Sequence, residues 1–179
     1  MSKSALAITE DHTDLADSVI GQLNRLNSRA ASRATLEKGS AHPSEIWLAG
    51  KDLGWNGLAI AEGCGGSGFG LAELAVVLEV QGRELSPGPL LPTVAAAVVI
   101  DRCAPDSVRT QLLPGLADGS TVGALALSGN VTMGSDLVVT GESPAVLGAP
   151  DADVLVIAAG QDVIIVDAQA DGVTITPLD

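Results

Sequence analysis

The sequence predicts an α+β fold, with an all-helical region followed by a small antiparallel, barrel-like β region. Apolar residues recur at helical spacing up to about residue 119, whereas short β-prone runs separated by turn residues follow residue 120. The charge pattern changes nearby, because all nine Lys and Arg residues lie at or before Arg109. We therefore expect a helical N-terminal domain over residues 1–119 and a β domain over residues 120–179.

Five helices are expected in the first region. The first follows Thr9, a good capping residue, and carries its apolar stripe toward a basic end at Arg25, Arg29 and Arg33. The others are expected at Pro43–Gly54, Leu71–Leu85, Thr93–Cys103 and from Pro105 to near Gly119. The core-facing residues expected in the second and third helices include Ile46, Trp47, Leu48, Leu71, Leu74, Leu78 and Leu85.

Five short strands are expected in the second region, and turn residues such as Gly148 and Gly160 separate them. They are Val122–Leu127, Leu137–Thr140, Val154–Ala159, Val163–Asp167 and Val173–Thr176. This close spacing is typical of an antiparallel sheet or a small barrel.

Composition excludes several classes of protein. The net charge of −13 repels a polyanion, and one Phe, two Trp and no Tyr leave few stacking platforms, so nucleic-acid binding is not expected. No apolar run reaches the ~20 residues of a membrane span, and no signal peptide is visible, which indicates a cytoplasmic protein. Cys64 and Cys103 are expected to be free thiols.

The charge pattern also limits phosphate binding. Residues 110–179 contain nine acidic residues and no Lys or Arg. A phosphate held by this region would need backbone amides or a basic residue from another chain. His12 and His42 lack metal-ligand spacing, so no metal site is expected, and Glu73 is expected to be a solvated helix carboxylate.

A glycine-rich segment, GCGGSG at residues 63–68, matches the dinucleotide fingerprint G-x-G-x-x-G. A Rossmann unit would continue from the helix into a second strand with an acidic residue about 20 positions on. Here the helix ends at SPGP (residues 86–89) and another helix follows. We therefore favour a loop in which glycines allow close backbone approach to a neighbour or a substrate, and we keep the nicotinamide-binding domain as the weaker alternative.

Several segments resemble the acyl-CoA dehydrogenase family. LGWNGLAIAEGCGGSGFG at residues 53–70 is similar to the family's LGW-x-GL-x-x-PEE-x-GGSG-x-G, and SPGPLLP at residues 86–92 continues the likeness. QLLPGLADG at residues 111–119 resembles the family's approach to its β domain. Gly141-Glu142 and the segment at residues 149–156 resemble its GEK and AD-x-x-x-V strand pair.

The resemblance implies a helical domain, a β middle domain and a C-terminal helical domain, with FAD bound between subunits. It also implies removal of hydrogen from the α and β carbons of an acyl-CoA thioester. The base of that reaction belongs to the C-terminal helical domain, which lies beyond the residues given, so no catalytic residue is assigned. In the family the helix at Leu71–Leu85 borders the acyl pocket, which implies substrate contacts for Leu74 and Leu78.

Two flavin motifs of the family are altered here. The segment at residues 126–136 replaces TEP-x-AGSD, so the resemblance places Leu127 and Ser128 beside the flavin and Ser135 beside the substrate, although Gly134-Ser-Asp136 comes one residue late. The aromatic-Ile-Thr motif falls on residues 145–147, which places Val146 and Leu147 at the flavin without the aromatic ring or the hydroxyl.

These alterations lead to two hypotheses. The first is a subunit of a homo- or hetero-oligomeric acyl-CoA dehydrogenase whose FAD is weakly held or shared with a partner subunit. The second is a non-catalytic assembly subunit that retains the fold. The acyl group is not identified by any residue.

Overall fold

The computed structural model describes residue 6 and residues 8–38 and 44–177. The chain forms two compact units, Met1–Gly88 and Pro89–Asp179. Helices occupy the first part of the chain and a small β region follows, which confirms the predicted fold class. Helix gives way to strand between Ala117 and Gly123. The second unit contains helices as well as the strands, so a domain boundary at residues 119 and 120 stays a prediction.

The first unit begins with α1 (Glu10–Arg25), which Thr9 caps as expected by accepting a hydrogen bond from the His12 amide. The helix then breaks, because Asn27 takes a left-handed φ of 49°, and α2 (Ser28–Lys38) starts afresh. The expected single helix running to Arg33 is therefore wrong. Asn is one of the few residues that adopt this conformation at low cost, and it provides the local reason for the break.

Helix α3 (Glu45–Asp52) is capped by the Ser44 hydroxyl, while the predicted start at Pro43 lies outside the described residues. Ile46 and Trp47 are buried as predicted. Leu48 is 47% exposed, which contradicts its expected core position. It lies on the opposite side of the helix from Gly50, where an added Cβ would stand 3.0 Å from the Trp55 ring.

Helix α4 (Leu71–Arg83) follows the glycine-rich loop. Its interior positions are Leu74, Val76, Val77 and Val80. Leu71 and Leu85 are exposed, so the expected apolar face is shorter than the sequence suggested. Leu85 also lies beyond the last helical residue with a φ of 51°, which removes it from the helical face.

The second unit contains α5 (Leu90–Cys103) and α6 (Asp106–Ala117), followed by the strands. Strand β1 (Gly123–Ala126) pairs with β4 (Val154–Ala159), and β4 pairs with β5 (Asp162–Asp167). The β4–β5 pair is antiparallel as expected, but the β1–β4 pair is parallel. A parallel neighbour requires the chain to return to the same end of the sheet, and the intervening residues 127–153 provide that long connection.

A two-residue pairing forms a second small sheet within that connection. Strand β2 (Thr132–Met133) was not predicted, and it pairs antiparallel with β3 (Val139–Thr140). The predicted strand from Leu137 is shortened because Leu137 takes a φ of 63° in the turn. No strand forms at Val173–Thr176.

Buried side chains of β1, β4 and β5 form a small apolar cluster. It is centred on Ala126, Ile157 and Ile164. On the helical side of the same unit, Thr93 of α5 accepts a hydrogen bond from the Gly123 amide and also contacts the Gly123 carbonyl. These bonds attach α5 to the start of β1.

Candidate functional site

The glycine-rich loop at residues 61–70 folds back on itself and contains one short 3₁₀ turn, Glu62–Cys64. Its backbone amides bond to carbonyls of residues 57–62. The Gly65 amide donates to Glu62, the Gly66 amide to Ala61 and the Gly68 amide to Ile60. The amides of Cys64, Ser67 and Phe69 are also bonded to nearby carbonyls.

This hydrogen bonding decides between the two interpretations of the loop. A phosphate cradle requires unpaired amides that converge on the ligand, and those of Gly65 and Gly66 are already used. No strand precedes the loop and no second strand follows α4 among the described residues of this unit. The nicotinamide-binding alternative is therefore rejected. At Gly66 an added Cβ would stand 2.1 Å from the Ile60 carbonyl oxygen, which explains why this position requires glycine.

His12 and Glu73 link α1 to the first turn of α4. The His12 Nε2 atom lies 3.1 Å from Glu73 Oε1, and the Gly70 amide donates to Glu73 Oε2 at 2.9 Å. Hydrogen bonds from its own backbone amide, from His12 and from Gly70 lower the pKa of Glu73 below its usual value. Glu73 keeps 26% of its side-chain surface exposed, but it is not simply a solvated carboxylate, because each of its two oxygens has a hydrogen-bond partner.

The sequence indicates only one partner of this interaction, Glu73. A glutamate at the third helical position is typical of a residue that caps the start of its own helix. The partner, His12, lies 61 residues away, and no local pattern indicates that pairing.

The two predicted acyl-contacting residues occupy different environments in α4. Leu74 is buried in the interior of the first unit, while Leu78 is half-buried. Packing within the unit therefore accounts for Leu74, and Leu78 keeps a surface that a ligand can contact.

The four predicted flavin residues lie on two neighbouring segments of the second unit. Leu127 and Ser128 follow β1 directly, and Val146 and Leu147 precede the 3₁₀ turn Ala149–Asp151. The Ser143 hydroxyl donates to the Ser128 carbonyl, which ties the two segments together. Val146 packs against the buried cluster of the sheet. The side chains of Leu127 and Leu147 are 73% and 62% exposed, so two large apolar groups face away from the core.

Two glycines allow the strands beyond these residues to approach closely. Gly129 and Gly141 have φ values of 135° and 132°, and a Cβ on either would overlap the backbone of the facing segment. The Asn130 amide donates to the Glu142 carbonyl, and the Glu142 amide donates to Asn130 Oδ1. These bonds fix the base of the β2–β3 hairpin.

Ser135 lies in the turn of that hairpin and is exposed. The hairpin extends from the base fixed by Asn130 and Glu142, whereas Leu127 and Ser128 precede that base. The structure thus gives Ser135 an accessible hydroxyl, and its predicted substrate contact stays a prediction.

Cys64 and Cys103 are both free thiols, as predicted, with Cys64 buried and Cys103 exposed. Within the described ranges, no group of His, Cys, Asp and Glu has the geometry of a metal site. None of the helices described has the length and hydropathy that crossing a bilayer requires.

The geometry defines the class of protein. It is a helical unit with a closed glycine-rich loop, joined in sequence to a helix-backed small sheet that exposes two leucines beside its first strand. It is not a Rossmann nucleotide-binding domain.

Comparison with known proteins assigns the family. Residues 9–120 match the family described as acyl-CoA dehydrogenase, N-terminal domain. The chain is 33% identical over 130 residues to acyl-CoA dehydrogenase IpdE2 of Mycobacterium tuberculosis, an alignment that covers 72% of this chain and 40% of IpdE2. The chain therefore belongs to the acyl-CoA dehydrogenase family.

Solved structures agree with this assignment. A variant of the Tcur3481–Tcur3483 steroid ACAD superposes with a TM-score of 0.73 at 29% identity, covering 91% of this chain and 49% of that one. PigA with FAD and proline shares the fold, with a TM-score of 0.75 at 16% identity, covering 92% of this chain and 50% of that one. The chain spans less than half the length of the curated relatives it matches.

Proposed function

We propose that this chain is a subunit or a part of an acyl-CoA dehydrogenase that uses FAD to oxidise the α and β carbons of an acyl-CoA thioester. In this proposal, other segments or subunits supply the catalytic base and much of the flavin site. The observation that carries it is the adjacency of Leu127-Ser128 and Val146-Leu147, tied together by the Ser143–Ser128 hydrogen bond. These are the positions on which the resemblance places the family's flavin motifs.

The residues present fit one part of FAD and not another. The exposed side chains of Leu127 and Leu147 offer apolar surface to a flavin ring, and Ser128 offers the one hydroxyl among the four positions. The diphosphate of FAD needs cations or free amides, and no Lys or Arg follows Arg109. This difference supports a cofactor shared with a partner, rather than one held by this chain alone.

When bound, FAD would accept the hydride from the β carbon. In this proposal, residues of this chain contact and orient the flavin ring and the acyl substrate. Leu127 and Leu147 exclude water from one side of the ring, Leu78 contacts the acyl tail, and Ser135 hydrogen-bonds the substrate. Leu74 supports Leu78 from the interior of α4. No proton transfer is assigned to a residue of this chain.

The two hypotheses are separated by the composition of the purified protein. The chain should be purified alone and also after co-expression with a flavin-competent acyl-CoA dehydrogenase subunit, and bound flavin measured by its visible absorbance. We expect little FAD on the isolated chain and FAD together with acyl-CoA oxidation in the complex. Stoichiometric FAD on the isolated chain would refute the shared-cofactor proposal.

A matched pair of variants tests the flavin surface in that complex. Leu127 and Leu137 are equally exposed, at 73% each, but only Leu127 adjoins the predicted flavin segment. L127N should weaken FAD binding by about tenfold or more, since burial of a leucine is worth ~1.5–3 kcal/mol. L137N should leave it unchanged, because Asn also tolerates the left-handed backbone at residue 137.

A non-catalytic assembly role is favoured by one observation, the absence of an aromatic ring and a second hydroxyl from the four predicted flavin positions. In that case the complex would form, and its FAD content and activity would be the same with L127N as with the unmodified chain. Loss of FAD in the L127N complex would instead support a direct contribution to the cofactor site.

A further inference from the structure

One edge of strand β5 pairs with no other strand in the part of the chain that the structure describes. In the sheet order β1-β4-β5, β5 neighbours only β4 among the strands of the described part. The Ala168 amide donates to the Asp153 carbonyl on the β4 side. Ala168 and every second residue before it in β5 therefore turn their backbone groups toward β4. Because residues of an antiparallel ladder face alternately toward and away from the partner, Val163 and Ile165 direct their backbone N–H and C=O groups to the free side.

The same two residues line an open groove of about 550 Å³. Its other walls come from α5, α6 and β4, and the aliphatic side chains include Val99, Val108, Leu112 and Val154. Val163 is 40% exposed although it lies in a regular strand. An apolar concavity of this size beside an unpaired strand edge matches the way extended peptides bind, with backbone bonds at the edge and alternate side chains in the groove.

The charge of the groove selects its occupant. Asp153 and Asp167 both line it, and none of the described residues along it is Lys or Arg. One oxygen of each carboxylate is engaged, Asp153 Oδ2 by the Val122 amide and Asp167 Oδ1 by the Gln169 amide, both at 2.8 Å. The second oxygen of each is available to a cation. This arrangement repels the phosphates of a coenzyme A thioester and favours an apolar segment that carries Lys or Arg.

We propose that β5 and this groove form a docking surface for an extended, basic segment of a partner polypeptide, which adds a strand to the sheet. Its alternate apolar side chains would enter the groove, and its Lys or Arg would lie beside Asp153 and Asp167. A second copy of this chain is a poorer occupant, because its own strand region, residues 110–179, contains no basic residue. The inference does not depend on the proposed function.

Two synthetic peptides test it against the full chain. Each has about eight residues, within the ~3–10 that strands usually have, with Val alternating with Thr and either Lys or Glu near both ends. With the Lys peptide we expect slower hydrogen exchange at the amides of Val163 and Ile165, while Ile164, which already faces β4, is unchanged. Two exposed ion pairs predict that the Glu peptide binds at least about threefold more weakly.

Charge variants locate the contact. D153N with D167N keeps an acceptor for each backbone amide and should reduce the preference for Lys over Glu to less than about twofold. D136N removes a charge from the β2–β3 hairpin and should leave the preference intact. Equal binding of the two peptides, or unchanged exchange at Val163 and Ile165, would overturn the proposal. Concentration-dependent protection of the same amides without peptide, accompanied by a dimeric mass, would overturn it in favour of self-association.

Discussion

Replacement of Gly66 by alanine tests whether the closed glycine-rich loop supports the first unit. The new Cβ would stand 2.1 Å from the Ile60 carbonyl oxygen and 2.6 Å from that of Gly57, so both carbonyls must move. Those two oxygens accept the amides of Ile60, Ser67 and Gly68. Loss of three hydrogen bonds at ~1 kcal/mol each predicts a destabilisation of about 3 kcal/mol.

Tryptophan fluorescence measures this change in the relevant unit. Trp47 and Trp55 are both buried in the first unit, and the chain contains no other Trp. Urea unfolding followed by this signal should give the loss of about 3 kcal/mol for G66A. The matched control is G63A in the same loop, where an added Cβ meets nothing within 4 Å. The reasoning fails if G66A destabilises the unit no more than G63A does.

Three further predictions follow from single contacts. T93V should destabilise the second unit by about 1–3 kcal/mol in urea unfolding, because it leaves the buried Gly123 amide without its acceptor. T93S keeps the hydroxyl and should therefore retain most of the stability of the unmodified chain. The pKa of Glu73 is lower in the folded chain than its usual value of 4.5, so this group adds stability that is complete above pH 4.5 and is lost as the pH falls through the folded pKa. The stability of E73Q should therefore depend less on acid pH than that of the unmodified chain, and equal dependence would contradict this. A thiol reagent should modify Cys103 in the folded chain and Cys64 only after unfolding; rapid modification of both would contradict the burial.

Most of the helices and two strands could be predicted because their signals are local. The β4 strand was expected at Val154–Ala159, and the structure has it with those bounds. The third predicted helix, which is α4 in the structure, was expected to begin at Leu71, and it does. In both cases hydrophobic periodicity and flanking turn residues act over a few positions, and the tertiary fold does not oppose them.

The remaining features depend on distant residues or on single backbone angles. The parallel pairing of β1 with β4 joins residues about thirty positions apart, and no turn between them specifies it. The break at Asn27 requires one left-handed residue in a sequence that otherwise favours helix. The same limit applies to the candidate site, where the resemblance gave Leu127 and Leu147 as positions but only the structure gives their exposure and their neighbours.

Charge is the strongest support for the proposal that the cofactor site is shared. The Arg109 side chain, the last cation of the chain, bonds to Asp101 and Asp106 in the helices. A flavin diphosphate placed near Ser128 would therefore find no cation on the strand side of this unit, and acidic residues such as Glu142 lie close by in the hairpin. Either another segment or subunit contributes the basic residue or the diphosphate stays in solvent. The FAD affinity of the complex should be compared with that of the isolated chain. If a partner subunit that carries the basic residue raises the affinity above that of the isolated chain, the site is shared between subunits.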